Sequence, residues 1–145
     1  KGVLAVCIGR WLFYMLPADA GVSPYLGVYL AAIFAVLGHL YPLYFGFKGG
    51  KGVATGLGII LFLAPWETLI VFCVWAVIVA LTRIVSLGSI VAAILVPVTM
   101  FFFNEPLPLT IFGLLAALLV VVRHKDNIIR LIHGKELKVE RIKKK

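Results

Sequence analysis

The sequence predicts an all-α fold, a polytopic transmembrane helical bundle, and three observations predict it. First, of 145 residues 63% are hydrophobic and only 14% charged, with a mean hydropathy of +1.11. A soluble domain is about 45–50% apolar and about 25% charged. This chain cannot cover its own apolar surface with polar groups, and disorder or a fibrous array is excluded with it. Second, the apolar residues fall into six stretches that are apolar nearly all round, without a one-sided 3.6-residue period. Third, basic and acidic connections alternate along the chain.

Residues 2–16 form the first stretch, closed by Pro17, and residues 25–40 the second, with an extension toward residue 47. Residues 53–64 form the third, closed by Pro65, and residues 68–81 the fourth. Residues 87–103 form the fifth, closed by Asn104, Glu105 and Pro106, and residues 107–122 the sixth. A span needs about 20 residues. Several stretches are short on a strict count, the third being the least secure, and flanking Tyr, Trp, Gly and Ser extend them into the interface. The expectation is about six spans. Residues 1–122 make the bundle, with a cytoplasmic glycine/lysine loop at 46–56. Residues 123–145 make a basic cytoplasmic segment of the same domain. No internal repeat, low-complexity tract or linker interrupts the chain.

The net charge is +8, and nine of the 14 Lys and Arg residues lie in 123–145. A basic tail after apolar segments suits anionic lipid headgroups, and no aromatic-interleaved basic patch argues for nucleic acid. Alternate connections hold Lys1, then Lys48 and Lys51, then Arg83, then Arg123 and the tail. The others hold Asp19, Glu67 and Glu105. Cytoplasmic loops are enriched in Lys and Arg, so the basic connections and both chain ends are expected inside. Arg10 is the exception, read as snorkelling to a headgroup. Cys7 and Cys73 read as small fillers of apolar runs, suggesting neither a disulfide nor a metal site. The first stretch lacks a signal-peptide cleavage pattern. The chain does not begin with Met, so this stretch reads as a helix entered part-way, with sequence missing upstream.

Three stretches carry candidate chemistry. The first is HLYPLYFGFKGGKGVATGLG at 39–58. Gly49, Gly50 and Gly52 let backbone N–H groups approach an oxyanion, Lys48 and Lys51 add full charges, and the start of the following helix adds a partial one. Together they make a phosphate cradle. It is not the nucleotide P-loop, which needs Ser or Thr directly after a Gly-Lys pair, whereas Gly52 and then Val53 follow Gly50-Lys51. The second is RIVSLGSI at 83–90, where Ser86 and Ser89 either cap the next helix or wall a phosphate site. The third is RHKDNIIRLIHGKE at 123–136. There His124, Asn127 and Arg130 follow at three-residue steps, hence on one helix face, and suit a phosphate or a transferring group. His133 reads as a surface residue and His39 as packing at a helix end. No triad, G-x-S-x-G or metal-ligand cluster occurs. A site of cations and glycines without a base works by positioning and charge stabilisation, on an electrophile that arrives already activated. A membrane anion channel or transporter subunit is the alternative, and it predicts charges near the bilayer midplane.

Taken together, these three stretches resemble the signatures of the bacterial membrane acyl-phosphate:glycerol-3-phosphate acyltransferases, over essentially the whole chain and in order. The resemblance implies a seven-span inner-membrane enzyme of phospholipid biosynthesis with its site facing the cytoplasm. It implies transfer of a fatty acyl group from acyl phosphate to the sn-1 hydroxyl of glycerol 3-phosphate, giving lysophosphatidic acid and phosphate. No cofactor and no acyl carrier protein is implied at this step. Gly49, Gly50, Lys51 and Gly52 match the family's phosphate-binding loop, with Lys48 beside it, and Ser89 matches a phosphate contact. His124 and Asn127 match the catalytic pair, with Lys51 acting alongside, and Glu136 matches an acidic residue of structural role. His124 is read as a hydrogen-bond donor to phosphate in preference to a general base. Family members begin with a further span and a Ser-Gly-Asn-x-Gly-Ala-Thr-Asn type loop followed by an Arg. Nothing here matches these, so the chain is expected to be N-terminally shortened and of low activity.

Overall fold

A computed structural model describes residues 1–17, 23–46 and 49–139. Asp19 and Lys48 of the expectations above lie outside the described residues. Among the described residues seven α-helices follow in order: α1 (Gly2–Tyr14), α2 (Pro24–Leu40), α3 (Val53–Leu63), α4 (Pro65–Thr82), α5 (Val85–Phe102), α6 (Leu107–Arg123) and α7 (Lys125–Ile132). A 3₁₀ turn, Leu43–Phe45, lies between α2 and α3. The chain is a helical membrane bundle, as its composition requires. Large apolar side chains such as Leu4, Phe34, Leu81 and Phe101 face outward, where only hydrocarbon tolerates them.

The helix ends follow local chemistry. Ser23 caps α2, its Oγ accepting from the Tyr25 N–H at 3.3 Å, and Pro24 follows at a position where no N–H is needed. Pro65 starts α4 in the same way, leaving Ala64 as the whole connection from α3. Pro97 lies inside α5 without ending it. By length and composition, α4 and α5 are each long enough to cross a membrane, and α6 with α7 passes as a pair bent by 59°. Gly2–Tyr14, Tyr25–Leu40 and Val53–Leu63 are shorter apolar helices. At 11 residues α3 rises about 16 Å, roughly half the hydrocarbon core. The expected count of about six is thus one of apolar helices, not of six full-length spans.

Small residues bring the helices together. A Cβ on Gly9 would meet the Gly27 carbonyl oxygen and Ala31 at 2.5 Å, so α1 and α2 cross almost backbone to backbone. α3 sits in the middle and touches α1, α2, α4 and α6. Its Ile59 and Ile60 join Val6, Val36, Leu40, Val71 and Met100 in the core. Short connections fold α4, α5 and α6 back and forth. Lys51, Ser86, Asn127 and Glu136 therefore meet at one end of the bundle, and Glu67 and Glu105 meet at the other. Burial, and then the neighbouring Glu67, push the Glu105 carboxyl above its ordinary value.

Candidate active site

At the basic end a cavity of about 770 Å³ opens between α3, α4, α5 and the segment after α7. Its mouth is polar, with Lys51, Ser86, Ser89, His124, Asn127 and Arg130 among its walls, and its depth is apolar, with Leu57, Val71, Phe72 and Ala92.

The glycine loop is shaped by contact with the end of α2. A Cβ on Gly49 would run into the His39 and Leu40 carbonyls, and one on Gly50 into the His39 imidazole. Gly52 adopts φ 82°, a left-handed conformation that suits glycine, and from it α3 begins with no side-chain cap. The Gly50 N–H is already donated to the His39 carbonyl at 3.3 Å. With the Gly50 amide engaged, the cradle offers the uncapped start of α3 and Lys51 to an anion. Arg123, seen in the sequence only as a basic residue, clamps this loop. Its guanidinium donates to the Gly49 carbonyl at 3.0 Å and the Gly50 carbonyl at 3.4 Å and lies 5.4 Å from the centre of the Tyr41 ring.

Lys51 Nζ donates to Asn127 Oδ1 at 2.6 Å, and Asn127 Nδ2 donates to Glu136 Oε1 at 2.6 Å. Glu136 also accepts from Ser86 Oγ at 2.9 Å and Arg130 Nε at 2.8 Å. Burial alone would raise the Glu136 carboxyl, but the bonds from Asn127, Arg130 and Ser86 and the Arg130 charge outweigh it, and the carboxyl lies below its ordinary range. The Arg130 side chain is 43% exposed, so its ion pair adds little by itself. The buried Asn127 and Ser86 bonds, at about 1 kcal/mol each, hold the segment after α7 across the mouth. That segment is pinned again where the Val139 N–H donates to the Arg83 carbonyl at 2.8 Å. Arg83 caps α4 at φ 61° and contributes this carbonyl to the mouth.

α6 ends at Arg123, His124 occupies the bend as the N-cap of α7, and α7 leaves at 59°. His124, Asn127 and Arg130 follow at three-residue steps along α7 from its cap, and all three line the cavity. Neither serine of 83–90 caps α5, whose cap position is Ile84 with no side-chain bond. Ser86 binds Glu136, and Ser89 accepts from Trp75 Nε1 at 3.4 Å.

His124 is 2% exposed, and its Nδ1 lies 2.7 Å from the Val120 carbonyl. A carbonyl only accepts, so Nδ1 carries the hydrogen, and Nε2 of the neutral ring is an acceptor. Burial pushes the imidazole down, the Val120 carbonyl opposes this, Lys51 reinforces it and Glu136 opposes it. The net shift is downward. The neutral ring thus offers phosphate no N–H from Nε2, and the donor role expected from the sequence requires protonation. His39 lines the same cavity, whereas His133 is exposed and bonded to its own helix.

A family profile for glycerol-3-phosphate acyltransferase matches residues 1–134. A glycerol-3-phosphate acyltransferase of Nostoc sp. is 44% identical over 148 residues, covering 96% of this chain and 65% of that relative. One of Neisseria meningitidis serogroup A is 41% identical over 140 residues, covering 96% and 67%. The chain thus spans just under two thirds of the Nostoc relative's length. The crystal structure of PlsY, an integral membrane glycerol 3-phosphate acyltransferase, in its glycerol 3-phosphate form superposes with a TM-score of 0.76 at 38% identity. The match covers 79% of this chain and 57% of that one. The lysophosphatidic acid form of the same protein also scores 0.76.

Proposed function

Since the chain belongs to the glycerol-3-phosphate acyltransferase family, we propose that it transfers a fatty acyl group from acyl phosphate to the sn-1 hydroxyl of glycerol 3-phosphate. The observation that carries this reading is the shape of the cavity, with cations and amides at its mouth and only apolar side chains below. Such a cavity matches an amphiphile with a phosphate head and an acyl tail. The apolar depth continues, through Leu57 and Phe72, into a groove lined by Leu61, Pro65, Trp66 and Leu69. From Val53 to Leu61 this lane runs about 12 Å along α3.

In the reaction the glycerol hydroxyl oxygen attacks the acyl carbonyl carbon. The new ester C–O bond forms, and the C–O bond to phosphate breaks. Lys51 and the start of α3 stabilise the charge that collects on the departing phosphate. Asn127, held by Glu136, fixes the Lys51 ammonium in place. The hydroxyl proton passes to His124 Nε2 or directly to a phosphate oxygen beside it. The mixed anhydride is activated on arrival, so no nucleophilic side chain is required. Lys48, Gly49, Gly52 and Ser89 complete the phosphate-binding set, and Gly50, its amide engaged by His39, serves it by shaping the loop. The mouth faces the cytoplasm of a bacterial inner membrane, on the basic side that the positive-inside rule assigns to it.

Phosphate release from acyl phosphate that depends on glycerol 3-phosphate is the expected result in lipid nanodiscs once this chain is preceded by a family-type first span and Ser/Gly/Asn loop, with little release from the 145-residue chain alone. Anion flux through proteoliposomes without such release would establish the channel reading instead. The apolar lining below Lys51 (Val53, Leu57, Val71 and Ala92) disfavours an ion pathway. The lane makes a second prediction. Leu57→Trp fills the junction of the cavity and the groove, and each methylene denied burial costs about 0.8 kcal/mol. Over four methylenes the preference for long over short acyl phosphates is expected to fall by about two hundredfold. An unchanged chain-length profile would place the tail elsewhere.

A further inference from the structure

Ser89 differs from three threonines of the bundle. Thr68, Thr82 and Thr99 each donate to the carbonyl four residues back in their own helix, the usual resting place of a helical hydroxyl. Ser89 is 5% exposed, lines the candidate active-site cavity, and instead accepts a hydrogen bond from Trp75 Nε1 at 3.4 Å. The indole reaches it because Gly88 has no side chain. A Cβ there would lie 3.0 Å from Trp75 Cδ1 and 2.8 Å from Val79. Phe72 stacks on Trp75 at 5.5 Å between ring centres and holds the ring in that orientation.

We propose that Trp75 is a positioning residue, whose N–H occupies a lone pair of Ser89 and thereby turns the serine hydroxyl proton toward a phosphate oxygen of the substrate. An indole N–H can only donate, and a hydroxyl has one donor and two acceptor sites. The Trp75 bond therefore leaves the Ser89 donor free, and a hydroxyl donating to an anionic oxygen makes a stronger bond than one donating to a carbonyl. Without the indole N–H, Ser89 falls back on the Val85 carbonyl four residues behind it, as the threonines do. The inference rests on the reading of the cavity as a phosphate site with Ser89 in its wall.

The test is a double-mutant cycle on substrate binding. Glycerol 3-phosphate and dodecyl phosphate, an unreactive stand-in for acyl phosphate, are titrated calorimetrically into the 145-residue chain in nanodiscs. Ser89→Ala is expected to weaken binding of one of these ligands by about tenfold and Trp75→Phe by about fivefold, the scale of one hydrogen bond. The double variant is expected to bind no more weakly than Ser89→Ala alone, because the tryptophan acts only through the serine. If Trp75→Phe does not fold, the benzothiophene isostere of tryptophan at 75 keeps the ring shape and lacks the N–H. Effects that multiply in the double variant, or a Trp75 substitution without effect, overturn the positioning role. A parent that binds while Ser89→Ala changes nothing removes Ser89 from the phosphate wall. A parent that binds neither ligand defeats the reading of the cavity itself.

Discussion

In a background that carries the family's first span and loop ahead of this chain, Lys51→Ala is expected to lower kcat/KM by about 10²–10³-fold, with KM for the phosphate substrates raised and kcat reduced together. Lys51 lies between the start of α3 and Asn127, to which it donates at 2.6 Å. At the mouth of an otherwise apolar cavity its charge acts in a medium where a fixed donor is worth far more than in water. In the proposed reaction it would meet the phosphate both before the reaction and as the acyl bond breaks, so binding and turnover should suffer alike. Steady-state phosphate release over a range of both substrates separates the two constants. A rise in KM with kcat untouched would reduce Lys51 to a binding residue.

His124 variants should show the second large effect, and its pH signature carries the information. The neutral imidazole has Nδ1 committed to Val120, leaving Nε2 to accept the attacking hydroxyl's hydrogen bond. The pKa is lowered from the ordinary imidazole value, burial being the main cause. The active neutral form is therefore present above the shifted pKa and lost as the pH falls through it. The pH–rate profile should show an acid limb with its midpoint below the ordinary value of about 6.5. His124→Ala is expected to cost about 10²–10⁴-fold, and His124→Gln, which keeps an acceptor, clearly less. Substrate phosphates titrate near pH 6 as well. A limb that persists unchanged in His124→Gln belongs to the phosphate, and the imidazole then has no role as acceptor.

Much of the fold is legible in the sequence because the stops are chemical. Pro65 and the Asn104–Glu105–Pro106 run end apolar stretches, and the helices begin and end within a few residues of them. What local sequence does not carry is direction after a helix ends. The bend at His124 has no proline or glycine to mark it. The available signal was the change from residues apolar all round, up to Val122, to the mixed run of Lys125, Asp126 and Asn127. The glycine–lysine density of 49–52 pointed to the cavity mouth, since few structural needs require so many glycines beside cations. Arg123 on the glycine carbonyls and Trp75 on Ser89 were illegible, because each joins residues from separate helices or loops. Glu136 stands between these cases. An acid in a basic run suggests a partner, but only the fold shows that it serves Ser86, Asn127 and Arg130 at once.

The gathering of Lys51, Arg83, Arg123 and Arg130 at one end of the bundle, opposite Glu67 and Glu105, makes the molecule an electrical dipole along the membrane normal. In a bacterial membrane the cytoplasmic side is negative, and one elementary charge carried across it changes in energy by about 2.3 kcal/mol per 100 mV. Inverting the bundle would carry several cations against that voltage. With the basic end on the cytoplasmic side, as proposed, the resting potential would act on the same residues that would grip phosphate and resist their reversal. A single set of side chains would then serve as both the site's electrostatics and the protein's anchor against the field.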